Sequence, residues 1–286
     1  MAPSRSRNSL LPLLAAASLL PHSAWAFDCK DIAAQGVHFN FEKLGGPHVV
    51  HWEQENTEYE TLAKYNFTVD LCNSLKWHKG GSLATECHHG TRVCGLREII
   101  DLNSENSSMI TPIDIAGTYK TQTGREIDAK FELLRNSKSN SDAGREGVRA
   151  ELHGGRLPFD DKKNGVNQRA IIEFVCDKER TGLEGDEKDN TEHEDDPKDG
   201  DKDGDKDKDK DGGKKEEKLR RRDDGKGKCE DSDHSLRFCG YEKEIPSQDT
   251  TVQTLRLEWR TKYACEDAPA DDKSSHWGFF GWFFIM

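Results

Sequence analysis

The sequence predicts an all-β, disulfide-bonded fold, a flattened barrel or sandwich of short strands interrupted by one long charged insertion. Three observations carry that expectation. The apolar-rich stretches alternate apolar and polar residues, glycine pairs punctuate them, and all eight cysteines follow an apolar leader. A strand sends successive side chains to opposite faces, so alternation marks one buried face and one wet face.

The leader comes first. Arg5 and Arg7 precede an apolar run, Leu10 to Leu20, that is too short to cross a bilayer, and Ala24-Trp25-Ala26 supplies a small-x-small cleavage pattern. Residues 1–26 read as a signal peptide, with the mature chain starting near Phe27. In an oxidising lumen an even number of cysteines reads as a full set of disulfides, whose pairing the spacing leaves open. A zinc site around Cys87, His88, His89 and Cys94 is the rival reading. No Cys-x-x-Cys occurs, and oxidation competes with thiolate ligation there, so no metal is expected. Asn66-Phe67-Thr68 and Asn106-Ser107-Ser108 are acceptor triplets for N-glycosylation, which requires Asn66 and Asn106 to face solvent.

The clearest strand is Leu255–Cys265. Its odd positions carry Leu, Leu, Trp, Thr, Tyr and Cys, whereas its even positions are mostly charged. Ala170–Cys176 is the second, with Ala, Ile, Phe and Cys on one face. Val37–Phe41, Tyr65–Leu71, Thr91–Cys94 and Val148–Leu152 are lesser candidates. Gly45-Gly46, Gly80-Gly81 and Gly154-Gly155 read as turns between strands. Many short strands with glycine turns and no helical period point to a sandwich or flattened barrel.

Composition divides the mature chain. Residues 27–268 form one luminal domain, interrupted at 182–228 by a run of Asp, Lys, Glu and Gly. That run has too little apolar surface to offset chain entropy and is expected to be disordered. Cysteines flank it on both sides, so it reads as an insertion, which a domain tolerates because loop closure costs little more as a loop lengthens. Two segments, starting at Asp199 and Asp207, match the first half of a calcium loop. Their twelfth positions are Lys210 and Lys218 where a bidentate Glu is required, so no calcium site is expected. The net charge of −12 argues against nucleic acid as a partner.

Residues 276–286, from His276 to Met286, are aromatic and uncharged. As a helix the apolar part would reach about 15 Å, roughly half a hydrocarbon core. It reads as the first part of a transmembrane segment, truncated in this chain, with Trp277 and Trp282 near the interface. No nucleophile elbow, zinc helix, Walker loop or dinucleotide fingerprint occurs. His48 and His51 follow Gly45-Gly46-Pro47 and read as loop residues. No catalytic residue and no cofactor are predicted.

Particular segments carry a resemblance: LRLEWRTKYACE, QRAIIEFVCDK followed by Arg180-Thr181-Gly182, RAELHGGRLP, CHHGTRVC, and the Trp-Gly-Phe-Phe at 277–280. Together they resemble the autophagy-related protein 27 family, fungal type I membrane proteins. Their luminal part is similar to mannose 6-phosphate receptor homology domains, and they too carry a charged insertion between the last strands. The resemblance spans Phe27 to Met286. It implies a non-enzymatic role in autophagosome formation and cytoplasm-to-vacuole transport, supporting the cycling of the multispanning autophagy membrane protein. It implies Golgi, endosomal, cytoplasmic-vesicle, vacuolar and phagophore-assembly-site membranes, and a link to phosphatidylinositol 3-phosphate, a lipid of the cytosolic face.

The resemblance also implies four pairings: Cys29–Cys72, Cys87–Cys94, Cys176–Cys265 and Cys229–Cys239. Lectins of this kind hold mannose with a Gln, an Arg, a Glu and a Tyr. The Tyr is matched by Tyr241, two residues after Cys239. The Arg position holds Gln168, with Arg169 adjacent, and a one-residue shift turns a side chain to the opposite sheet face. Gln168, Arg169 and Tyr241 are thus the candidate glycan-binding remnant, and a soluble luminal lectin for mannose-type glycans is the alternative function.

Overall fold

A computed structural model of the 286-residue chain describes residues 27–81, 85–103, 108–136, 144–185, 229–247 and 250–268. The leader, Asn106, the charged run beyond residue 185 with its two calcium-like segments, and the segment 276–286 lie outside the described residues. So do the readings made of them.

The described chain is nearly all strand. A small hairpin, β1 (Ile32–Ala34) and β2 (Val37–Phe39), precedes β3 (His48–Asn56), β4 (Thr61–Val69), β5 (Thr91–Asp101), β6 (Ser108–Gly117) and β7 (Lys130–Leu133). Then come β8 (Gly147–Leu152), β9 (Gly154–Leu157), β10 (Val166–Cys176), β11 (Leu236–Ser247) and β12 (Thr250–Thr261). One continuous pairing path runs β11-β12-β10-β9-β6-β5-β4-β3, with β8 also on β10 and β7 on β8. β9 is the joint: it pairs with β6 through Asp114 and Ala116, and with the first residues of β10 through Val166 and Asn167. The remainder of β10 pairs with β8. The sheet therefore divides into two leaves, β3-β4-β5-β6 and β11-β12-β10-β8-β7, that fold face to face. This is the flattened sandwich that the alternating pattern predicts.

The core between the leaves is aromatic. Trp52 of β3 stacks on Phe238 of β11 at 4.8 Å, and Phe67 of β4 meets both Phe238 at 5.8 Å and Tyr241 at 5.3 Å. At the other end, Phe41 stacks on Phe174 at 4.4 Å, and Phe174 on Trp259 at 5.5 Å. Each such pair contributes about 0.5–1.5 kcal/mol beyond its burial. Trp259 is fully buried, and its Nε1–H donates to Gly182 O at 2.7 Å, so its one polar atom is satisfied.

Three local readings are corrected. His48 and His51 are not loop residues: both lie on β3, and His48 is buried, its Nε2 3.0 Å from Leu44 O and its ring edge-on to Trp259. Gly154-Gly155 is no turn but the start of β9. A Cβ on Gly155 would lie 1.9 Å from Asp114 O, so only glycine lets β9 approach β6 this closely. The last strand stops at Thr261, where Thr261 Oγ1 accepts from Tyr263 N and a short 3-10 turn, Lys262–Ala264, carries the chain to Cys265.

Four disulfides cross-link the fold: Cys29–Cys72, Cys87–Cys94, Cys176–Cys265 and Cys229–Cys239. Cys176–Cys265 locks the far end of β10 to the residues just beyond β12, the parallel pair of the sheet. Both flanks of the charged run are pinned to this pair. Thr181 O accepts from Thr261 Oγ1, and Ser235 O accepts from Arg260 N. Chain entropy makes the bond between residues 89 apart in sequence the most stabilising of the four. Replacing Cys176 and Cys265 together by serine is expected to remove about 4–5 kcal/mol. Denaturant unfolding followed by tryptophan fluorescence measures it, and an unchanged midpoint would show that strand pairing suffices alone.

Candidate functional site

At the end of the sandwich remote from Cys176–Cys265, the two leaves part around a cavity of about 320 Å³. That lies at the small end of the range for small-molecule sites, about 300–1,000 Å³. Trp52 and Tyr65 form an aromatic wall, Ile113, Leu157 and Val166 add apolar floor, and Arg97, Gln168 and Tyr241 bring polar groups inward. Gln54, Lys243 and Gln253 complete the lining.

Strand phase decides who enters. On β10, Gln168, Ala170, Ile172 and Phe174 are buried on the core side, so Arg169 emerges on the outer face. There its guanidinium donates to Glu151 at 2.6 Å, Glu244 at 2.5 Å and Thr254 at 2.9 Å. Of the proposed glycan-binding remnant, the structure brings Gln168 and Tyr241 together and turns Arg169 away. Tyr241 reaches the cavity through an irregularity. Phe238 pairs with Leu257 and Gly240 with Arg256, so Cys239 is an extra residue in β11. That bulge resets the alternation, and Phe238 and Tyr241, three apart, both point inward.

Gln168 is only 2 % exposed and hydrogen-bonded on both sides of its amide. The Tyr241 hydroxyl donates to Oε1 at 2.6 Å, and Nε2 donates to Val166 O at 3.1 Å. Burial pushes the Tyr241 phenol far above its ordinary value, Tyr65 adds to this and Arg97 opposes it, so the hydroxyl stays protonated as that bond requires. Gln168 thus orients Tyr241.

The cavity's guanidinium comes from a residue that the sequence reading did not single out. Arg97, on β5, faces inward in register with Tyr65 and Thr111. Its Nε is buried without a partner, and Arg97 makes no ion pair or hydrogen bond among the described residues. The signal was its phase: Val93, Gly95 and Arg97 alternate, but a charged residue on an apolar face gives no sign of which cavity it enters.

The outer face of the second leaf is an ion-pair ladder. Arg149 donates to Glu173 at 2.6 Å, Arg256 to Glu244 at 2.8 Å, and Glu258 accepts from both Arg145 and Arg237. Burial raises the Glu258 carboxyl, but Arg145 and Arg237 outweigh it and hold it below its usual range. Glu151 is held at about 2, chiefly by the bond from His153, with burial opposing and Arg169 assisting.

A second polar cluster lies by the Cys87–Cys94 loop. Buried Asp114 faces His88 Nδ1 at 2.7 Å and accepts from His88 N and Thr91 Oγ1, while the His88 ring stacks on Phe159 at 3.7 Å. His88 and both sulfurs are therefore engaged within the fold. His89 packs on Trp77 at 5.2 Å. Asn66, on β4, is exposed, its side-chain oxygen 2.7 Å from His51 Nδ1.

Comparison with known proteins identifies the family. The model of the family described as Autophagy-related protein 27 matches residues 12–286. A protein named Autophagy-related protein 27 from Gibberella zeae is 37% identical over 295 residues, covering 97% of this chain and 79% of that protein. Its namesake from Arthroderma benhamiae is 38% identical over 281 residues, covering 97% and 80%. This chain belongs to the autophagy-related protein 27 family. No solved structure matches it. Membership supports a role in autophagy, and the conserved name of these relatives speaks for the whole chain, not for the cavity.

Two outcomes follow from the ladder. Arg169→Ala is expected to cost on the order of 2 kcal/mol, because it strips Glu151 and Glu244 of a shared donor. Denaturant unfolding measures the loss. Depressed carboxylates contribute stability that is complete above their unfolded value near 4.5 and is lost as pH falls toward about 2 for Glu151. Thermal unfolding should therefore be insensitive to these groups between neutral pH and about 5, and fall steeply below about 4.5. A midpoint already falling between neutrality and 5 in wild type, but not in Glu151→Gln, would overturn that assignment.

Proposed function

We propose that this chain is a membrane-trafficking protein of the secretory and endosomal system. It supports autophagosome and cytoplasm-to-vacuole vesicle formation and the cycling of the multispanning autophagy membrane protein. The carrying observation is the family match through residues 12–286, which takes in the leader, the β domain and the C-terminal apolar segment together. In this reading the disulfide-bonded domain faces the lumen and residues 276–286 hold it at the membrane of Golgi, endosomal or cytoplasmic vesicles, vacuole or phagophore assembly site. Phosphatidylinositol 3-phosphate, on the cytosolic leaflet, then acts on the pathway and not on the β domain. Among the described residues no helix is long and apolar enough to cross a membrane.

The geometry supports this orientation. Gln253 lines the cavity and Thr261 ends the same strand, eight residues on, roughly 27 Å away at the rise of a strand. Ala268, the last described residue, follows the Cys265 end. The cavity thus opens at the strand end opposite to Cys265 and Ala268, which in this reading is the end that faces the lumen.

The mannose-type lectin stands as a second reading of the same domain. It is favoured by the joining of Gln168 and Tyr241 beside the Trp52 wall, since a flat aromatic face suits a sugar ring.

Deleting the gene and imaging the tagged multispanning protein tests the trafficking reading. The expected result is loss of its peripheral vesicle pool with reduced autophagic flux, and unchanged distribution and flux would refute the proposal. Asn66→Gln is expected to remove one endoglycosidase-sensitive mobility shift. The same mobility with and without the substitution would show that Asn66 carries no glycan.

A further inference from the structure

We infer that the outer face of the first leaf is a docking face for a cationic segment, and that residues 212–228 of the same chain occupy it.

The register of the strands lays the face out. Trp52 points into the core, so Glu53 and Glu55 point away from it. One row across the outer side reads Glu53, Lys64, Glu98 and Ile110, and the next begins Glu55, Leu62 and Ile100. The middle of the face is apolar: Ile110 is 41% exposed, and Tyr59 and Leu102 at the adjoining turns are 69% and 53% exposed. Its edge is acidic. Lys64 is paired with Glu53 at 3.7 Å, whereas Glu55, Glu58 and Glu98 meet no cation among the described residues. The second leaf is built the other way, its outer arginines and glutamates neutralising one another. An apolar strip edged by unpaired carboxylates is complementary to a cationic segment that carries an apolar side chain.

The chain holds such a segment and delivers it to this place. The charged run is not uniform along its length. Residues 186–211 hold fourteen Asp and Glu against six Lys, whereas residues 212–228 hold eight Lys and Arg against four Asp and Glu. The second half also contains Leu219, the one aliphatic side chain of residues 186–228, directly before Arg220, Arg221 and Arg222. Its far end is tied beside the face: Cys229 is bonded to Cys239, and the neighbouring Phe238 stacks on Trp52 of β3 at 4.8 Å. Arg222 lies seven positions before Cys229, a reach of about 24 Å, and β3 runs only about 13 Å from Trp52 to Asn56. Exposed ion pairs are individually weak, so the tether matters: it raises the segment's local concentration to the order of millimolar. A second globular copy is the rival occupant. Asn66 stands on this same face, in register with His51 and Leu96, and the glycan predicted there narrows the free area to a strip for one extended segment.

The test is carbodiimide cross-linking of the purified full chain, prepared as an equal mixture of unlabelled and nitrogen-15-labelled protein. The expected result is zero-length links from Lys214, Lys215 or Lys218 to Glu53, Glu55, Glu58 or Glu98 within one isotopic chain. Those links should fall about fivefold or more in about 1 M salt. Lys30–Glu42, an exposed ion pair at 2.9 Å, is the internal control. Absence of the expected links while the control forms would overturn the docking, and links of mixed isotope would overturn the occupant in favour of a second copy. A synthetic peptide of residues 212–228 gives an independent reading. It should bind a chain whose own 212–228 are replaced by Gly-Ser repeats about tenfold or more tighter than it binds the intact chain. Equal binding to both chains, or none to the replaced one, would overturn the proposal. Replacing Glu55, Glu58 and Glu98 together by Gln should remove both signals, and their persistence would place the segment elsewhere.

Discussion

The parallel pairing of β10 with β12 organises the domain. Ten consecutive residue pairs, Asn167 with Val252 through Cys176 with Thr261, set the faces of both strands in step. The core side becomes Ala170, Ile172, Phe174, Leu255, Leu257 and Trp259, and the outer side becomes the Arg–Glu ladder. A parallel pair cannot be closed by a tight turn, so the chain between the two strands must make a long return. Here that return holds both the charged run and β11, and Cys176–Cys265 ties the end of β10, where the return begins, to the residues just beyond β12. The flanks of the charged run, at Thr181 and Ser235, are hydrogen-bonded to β12.

The same pairing decides what the cavity contains. Because side chains alternate, placing Ile172 and Phe174 in the core obliges Gln168 to face the cavity and Arg169 to face out. Arg169 then becomes the hub of Glu151, Glu244 and Thr254, a stabilising role. Its absence from the cavity leaves room for a cation from the opposite leaf, and Arg97 takes that side. β11 obeys the same logic through a break in it: without the extra residue at Cys239, Tyr241 would point to solvent and Gln168 would lose the partner of its oxygen.

Much of this was legible in the sequence where burial is strictly periodic. β10 and β12 show it, since their core-facing positions from Ala170 to Phe174 and from Leu255 to Trp259 are all apolar. β3 was hidden because its outer half, Glu53 to Asn56, is polar on both faces and it follows Gly-Pro, so His48 looked like a loop residue when it is core. β9 was hidden because its glycines serve close strand approach, a use that one sequence cannot tell from a turn. The candidate site was half legible. Gln168 and Tyr241 could be placed by their distance from cysteines, whereas Arg97 enters through the pairing of β5 with β4 and β6, a tertiary fact with no local motif.

The exchange of one cation source for another has a chemical consequence. A site whose arginine sits beside a carboxylate presents a balanced set of donors and acceptors, suited to neutral hydroxyls. Here Arg149, Arg169, Arg237 and Arg256 have carboxylates on the outer face, where they hold the sheet, whereas Arg97 of the cavity lining has none among the described residues. Charge has been segregated across the sheet by the pleat itself: neutralised pairs outside, an uncompensated guanidinium inside. Salt screens exposed pairs far more than partly buried charges, so the interior potential persists where the ladder's weakens. The cavity thus lies at the strand end remote from Cys176–Cys265.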